Sequence, residues 1–254
     1  MLFEVSLHVA AMLMLAAFLA GFVDAIAGGG GLITVPALLL AGASPVEALA
    51  TNKLQGAFGA GTAAISYARA GHVRPMDQLG MAAVSAIAGA GGAMVAHLMP
   101  ADVLRLIMPV ILVAVALFFA FKPGLTDLDR VERIKPAVFT FTAVPLIAAY
   151  DGFFGPGTGS FFMLAFVMLA GFGVLKATAH TKMLNFASNV GSLAVFVTTG
   201  ATWWVVGFAM AAAQIAGASL GARLAMRVGA RLIKPLLVVT STGMALRLLW
   251  QVWG

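Results

Sequence analysis

Apolar stretches about 20 residues long succeed one another along almost the whole chain, separated by short polar breaks. A helix of about 20 apolar residues matches the hydrocarbon thickness of a bilayer. Charged residues make up 9% of the 254 positions, against about 25% in ordinary soluble domains. A water-facing surface cannot be built from so few charges, and the mean hydropathy of +1.04 agrees. The chain is therefore expected to be an all-α polytopic membrane protein. Its first apolar stretch lacks the basic leader of a signal peptide and reads as a retained helix.

Several function classes drop out at once. The net charge is +6; in a membrane protein such an excess collects in cytoplasmic loops rather than marking a nucleic-acid partner. There is no cysteine, so disulfides, cysteine-ligated metals and thiol chemistry are excluded. The histidines, His8, His72, His97 and His180, stand too far apart for a dedicated metal site. Without a nucleophile and base or a metal cluster, an enzyme is not expected, and no cofactor is implied.

Ten apolar segments run at about 5–26, 31–42, 46–69, 76–97, 102–121, 136–152, 158–172, 176–198, 203–225 and 229–252, with ends placed to about 2–4 residues. The two short ones, 31–42 and 158–172, each follow a glycine-rich break. If all ten reverse the chain direction, Arg69, Arg74, Lys122, Arg130, Arg133, Lys135, Lys176, Arg223, Arg227, Arg231 and Lys234 fall at one face. Basic loops stay in the cytoplasm, which would put both termini outside. If the short segments instead return to the side they came from, the clusters at 122–135 and 223–234 separate. The charge pattern favours ten segments; eight spans arranged as four plus four with re-entrant segments is the alternative.

The chain repeats itself. "VDAIAGGGG" at 23–31 matches "YDGFFGPGT" at 150–158, and "TNKLQ" at 51–55 matches "HTKMLN" at 180–185. "AIAGAGG" at 86–92 matches "QIAGASLG" at 214–221, and "RLIMPVIL" at 105–112 matches "RLIKPLLV" at 231–238. The offset stays between 126 and 129 residues. This divides the chain into an N-terminal transmembrane repeat (1–121), a polar cytoplasmic linker (122–135) and a C-terminal transmembrane repeat (136–254). Five segments per half, four full spans and one short half-helix, would insert the second half upside down, the inverted repeat of many secondary transporters.

Ionisable residues inside spans are costly and usually functional. Asp24, Lys53, Asp151 and Lys182 are such residues, and they form two repeat-related sets. The aspartates have two readings: caps for backbone N–H groups freed at a break, or proton-coupling or gating carboxylates. The lysines could snorkel to headgroups, but each opens a polar helical run. Asn52, Lys53 and Gln55 begin one; Thr181, Lys182, Asn185, Ser188, Asn189 and Ser192 form the other. Close packing explains glycine and serine there, not lysine and asparagine.

The run Gly28, Gly29, Gly30, Gly31 lacks the Gly-Lys-Ser/Thr of a phosphate loop and follows no strand. Its counterpart Gly155, Gly157, Thr158 and Gly159 encloses a proline, which breaks a helix. Each break precedes a short helix, and helix N-termini attract anions. Broken backbone at membrane depth is tolerated only beside protein or water, so each break should line a cavity. The expected substrate site is thus Asn52, Lys53, Gln55, Thr181, Lys182, Asn185 and Asn189 with the two breaks.

These motifs also resemble one family. "GFVDAIAGGGGLITVPALL", "ATNKLQGAFG", "DGFFGPGTG" and "AHTKMLNFASNVGS" together are similar to the TauE/SafE family of sulfite and organosulfonate exporters, over nearly the whole chain. The resemblance implies a multi-pass permease of a prokaryotic inner membrane carrying small sulfur-containing anions such as sulfite, sulfonates or thiosulfate. Alternating access is the mechanism expected, with Asp24 and Asp151 either taking up protons to couple export to the proton gradient or holding the broken turns; a passive anion channel, or a permease for another small organic anion, is the alternative. The partners expected are the anion and the lipid bilayer, with homo-oligomerisation left open.

Overall fold

The computed structural model describes residues 4–120 and 132–229. The last expected segment, 229–252, the repeat copy at 231–238 and most of the linker lie outside the described residues. Among the described residues the regular structure is all helix. The first half holds α1 (Leu7–Ala27), α2 (Gly31–Leu40), α3 (Pro45–Arg69), a 3-10 turn (Pro75–Gln78) leading into α4 (Leu79–Leu98), and α5 (Ala101–Ala120). The second holds α6 (Pro136–Phe141), α7 (Ala143–Phe153), α8 (Thr158–Met168), α9 (Val174–Thr199) and α10 (Trp204–Val228). Four stretches among the described residues, Leu7–Ala27, Pro75–Leu98, Pro136–Phe153 and Trp204–Val228, are long and apolar enough to cross a membrane. Helices α3 and α9 are as long, 25 and 26 residues, but carry the polar runs.

Local chemistry sets the ends. Ser44 Oγ accepts from the Glu47 N–H while Glu47 Oε2 accepts from the Ser44 N–H, and Pro45 opens α3; this reciprocal cap satisfies two otherwise orphaned donors. The expected segment 136–152 is divided at Thr142. Pro145 supplies the cause: it has no N–H to offer the Phe141 carbonyl, and its ring crowds that carbonyl.

The short helices double back. Gly30 lies against the Ala20 carbonyl and Asp24 Cβ, so α2 returns along α1. Likewise the N–H groups of Arg133 and Ile134, just before α6, donate to the Leu169 carbonyl at the far end of α8. Each broken pair is therefore a helical hairpin whose two arms open at the same end. The chain direction reverses within each of these two hairpins.

The long helices show how the hairpins are disposed. Glu4 accepts from the N–H groups of Val205 and Val206, and Thr51 Oγ1 from Trp203 N–H, which gathers the starts of α1, α3 and α10. At the opposite end Gln78 Nε2 donates to the His180 carbonyl, bringing the starts of α4 and α9 together. Helices α3 and α9 run antiparallel: Gly56 faces Asn189, and five residues on, Gly61 faces Phe186. The α1–α2 hairpin thus opens where α3 starts, and the α6–α8 hairpin where α9 starts. Arg69, Arg74, Arg133, Lys135, Lys176 and Arg227 sit at the element ends gathered on the α9 side.

Glycines let the helices approach to backbone contact. A Cβ on Gly92 of α4 would strike the Ala149 carbonyl of α7, and one on Gly217 of α10 would strike the Phe18 carbonyl of α1. The motif copies at 86–92 and 214–221 therefore do the same work, α4 on α7 and α10 on α1. Close approach of this kind replaces the hydrophobic drive that lipid cannot give.

Candidate functional site

The two glycine breaks meet at the centre of the protein. A Cβ on Gly28 would overlap Ser160 N and stand 2.5 Å from the Gly159 carbonyl carbon. Ser160 Oγ donates to the Ala27 carbonyl at 2.8 Å, tying one hairpin tip to the other. Gly28 has φ 81° and ψ 172°, a region open essentially to glycine alone. Gly157, at φ 86° and ψ −5°, starts α8 from the left-handed region.

Both aspartates sit at these tips, and each is held by a lysine from the other half. Lys53 Nζ donates to Asp151 Oδ1 at 2.8 Å, with neither side chain more than 2% exposed. Lys182 Nζ donates to Asp24 Oδ2 at 3.1 Å and also to the Asp24 carbonyl oxygen. The remaining oxygens are engaged too: Asp24 Oδ1 accepts from Gly30 N–H at 3.2 Å, and Asp151 Oδ2 from Ser188 Oγ at 2.5 Å. Asp24 thus caps the turn it precedes. Gly155, beside Lys53, has φ 92°, a left-handed region that favours glycine.

A cavity of about 30 Å³ lies between the tips. The first turns of α2 and α8 line it, through Gly29–Gly31 and Gly157–Gly159, so the positive ends of two helix dipoles converge there. Its sides come from Asn52, Gln55 and Gly56 of α3, Asn185 and Asn189 of α9, and Gln214 of α10, with Asp24 and Asp151 at the tips. The Asn52 and Asn185 amide nitrogens each stand 3.5 Å from where a Cβ would sit on Gly31 and Gly159. Thr34 Oγ1 and Gln55 Nε2 both donate to Asn52 Oδ1, at 2.6 and 2.8 Å, and Asn189 Nδ2 donates to Asn185 Oδ1 at 3.1 Å. The asparagines are therefore fixed in direction. The arrangement offers N–H donors to a small anion and balances its own buried charges in pairs.

A family model described as sulfite exporter TauE/SafE matches residues 13–248. The chain belongs to the TauE/SafE family. It is 57% identical over 246 residues, 97% of this chain and 94% of the relative, to a probable membrane transporter protein, ORF9, of Sinorhizobium sp. It is 44% identical over 253 residues, 100% of this chain and 94% of the relative, to the probable membrane transporter protein YfcA of Escherichia coli K12. A probable membrane transporter protein of Haemophilus influenzae is 41% identical over 248 residues, covering 98% and 97%. No solved structure matches the chain. Family, relatives and apolar helices agree on a membrane transporter.

In this TauE/SafE member most of the expected site residues come together. Asp24, Gly29, Gly30, Gly31, Asn52, Gln55, Asp151, Gly155, Gly157, Thr158, Gly159, Asn185 and Asn189 all line the central cavity. Gly28 instead forms the contact between the tips, and Lys53 and Lys182 stand behind the carboxylates they hold. Thr181 is buried beside Lys182, its Oγ1 without a partner among the described residues, and is not part of the lining. Gln214, Thr34 and Ser160 escaped the sequence reading. The one available signal was Gln214, the polar residue opening an otherwise small and apolar repeat motif where the other copy has Ala86.

Proposed function

We propose that the protein is a secondary transporter that exports small sulfur-containing anions, such as sulfite, sulfonates or thiosulfate, by alternating access. Its two halves act as inverted repeats of five segments, and the central cavity is the substrate site. The convergence of two broken-helix tips from opposite ends on one donor-lined cavity is the observation that carries this reading. Discontinuous helices aim their N-termini at anionic substrate groups in other secondary transporters.

In this mechanism the oxyanion oxygens take N–H groups from the first turns of α2 and α8 and from Asn52 and Asn185. Lys53 and Lys182 offset the carboxylates, so an anion does not meet a net negative site. A cavity of about 30 Å³ has room only for water-sized occupants. A sulfonate therefore loads when one hairpin shifts against α3 and α9. That shift strains the crossed ion pairs, and protonation of Asp24 or Asp151 releases its lysine toward the anion, which couples flux to the proton gradient. The protein sits in a bacterial inner membrane with its basic end in the cytoplasm.

Ligand binding stabilises the folded state by mass action, about 2.7 kcal/mol at a hundred times Kd. Purified protein should melt at a higher temperature with sulfite, thiosulfate or a short sulfonate, and not with sodium chloride. An unchanged melting temperature across all three anions would contradict the substrate class. Coupling is checked separately: uptake into proteoliposomes that ignores an imposed pH gradient removes the proton role of the aspartates.

A further inference from the structure

Gln55 and Gln214 are among the residues that line the cavity, and the side-chain oxygen of each has no hydrogen-bond partner among the described residues. Gln55 and Gln214 are 1% and 3% exposed, and the Oε1 atom of each is buried without a hydrogen bond. The orientation of Gln55 follows from its surroundings. Its Nε2 donates to Asn52 Oδ1, an oxygen that also accepts from Thr34, so Oε1 is left as the free end. Gln214 reaches the cavity from α10 between two glycines. A Cβ on Gly21 of α1 or Gly59 of α3 would each stand 2.7 Å from its Cγ. Both neighbouring helices leave room for a long amide, whose oxygen is buried without a hydrogen-bond donor among the described residues.

A buried acceptor without a donor is unfavourable in the empty protein and is relieved when a ligand supplies one. The nearby ammonium groups do not supply it, since Lys53 and Lys182 are engaged by Asp151 and Asp24. A bare oxyanion does not supply it either, because it has no hydrogen to donate.

We infer that Gln55 and Gln214 select a substrate that carries an O–H or N–H donor as well as its anionic oxygens. The inference rests on the central cavity being the substrate site. The anionic group lies at the first turns of α2 and α8, and the donor end lies against the two glutamine oxygens. Among sulfur oxyanions this class comprises the singly protonated forms and the hydroxyl- or amino-bearing sulfonates. Sites built to pair a substrate hydroxyl discriminate strongly against the analogue that lacks it, because the protein's own polar groups are then left unpaired.

The test compares 2-hydroxyethanesulfonate with propane-1-sulfonate, which has the same length and a methyl group in place of the hydroxyl. Affinity is read by thermal shift on the purified protein, and flux in proteoliposomes. The wild type should favour the hydroxyl-bearing anion by about tenfold or more. Gln214→Met, similar in length and without the amide, should lose most of that preference while melting cooperatively; Gln55→Met gives the same reading from the opposite wall. Equal affinity for the two sulfonates in the wild type overturns the inference and leaves the transport reading standing. So does a preference that survives in both variants, or binding of fully deprotonated sulfite in alkaline buffer with neither sulfonate bound. If no sulfonate, sulfite or thiosulfate binds at all, the proposed function falls and this inference falls with it.

Discussion

Replacing Lys53 by Met is expected to destabilise the protein by about 3–5 kcal/mol, the usual effect of removing one partner from a buried ion pair. Asp151 would keep Ser188 as a donor but lose the lysine it pairs with. Asp151→Leu alone should cost a similar amount by leaving a buried ammonium. The double variant Lys53→Met/Asp151→Leu should recover most of the loss, because replacing both charges by apolar groups is often neutral. Melting in detergent of the four proteins gives the coupling energy, expected at about 5 kcal/mol or more, because two single losses of about 3–5 kcal/mol each are set against a nearly neutral double variant. Additive losses would mean that the two charges do not depend on each other. Stability and transport should then part company: the double variant folds and does not transport, since Asp151 also lines the cavity.

The second large effect is at Gly28. Alanine there has to adopt φ 81°, ψ 172°, at a cost of about 1–3 kcal/mol. Its methyl group would also meet Ser160 N and Gly159 on the opposite tip, where only backbone stands and no flexible side chain can yield. Overpacking adds about 1–3 kcal/mol more, so Gly28→Ala should lose the native contact between the hairpins and with it transport. Gly29→Ala is the control. It shares a positive φ, 94°, but its Cβ meets nothing closer than Leu32 Cδ1 at 3.4 Å, so only the backbone strain applies. Limited proteolysis and melting temperature rank the two variants; equal damage would mean that the contact between the tips contributes little.

Much of this arrangement could be read along the chain because its signals are local. Apolar length marks the helices, Ser44 and Glu47 mark the start of α3, and the glycine breaks announce the hairpin tips. The central cavity followed from the same logic: a break in a membrane helix needs somewhere polar to be. The pairing of charges did not follow. Sequence comparison aligns Asp24 with Asp151 and Lys53 with Lys182, like with like, whereas the fold joins each aspartate to the opposite half's lysine. Under an inverted repeat that crossing is natural, because antiparallel α3 and α9 carry each lysine to the depth of the other hairpin's tip. Lysines expected to face the anion are therefore found one layer back. Gln214 was hidden for a different reason: its motif reads as helix packing, and only the space left by Gly21 and Gly59 shows that its side chain reaches the centre. Pro145 was visible, but its consequence, the division of α6 from α7, depends on which carbonyl it faces.

The central claim is that one cavity between the two helix breaks binds the transported anion in alternating states. Counterflow tests it most directly: proteoliposomes loaded with unlabelled sulfite should transiently accumulate labelled sulfite above equilibrium, saturably with concentration. Asn185→Leu, which removes an amide from the cavity wall beside Gly159, should abolish that overshoot while the protein still melts cooperatively. Flux through the wild type without saturation or overshoot, or an overshoot unchanged in Asn185→Leu, would contradict the account.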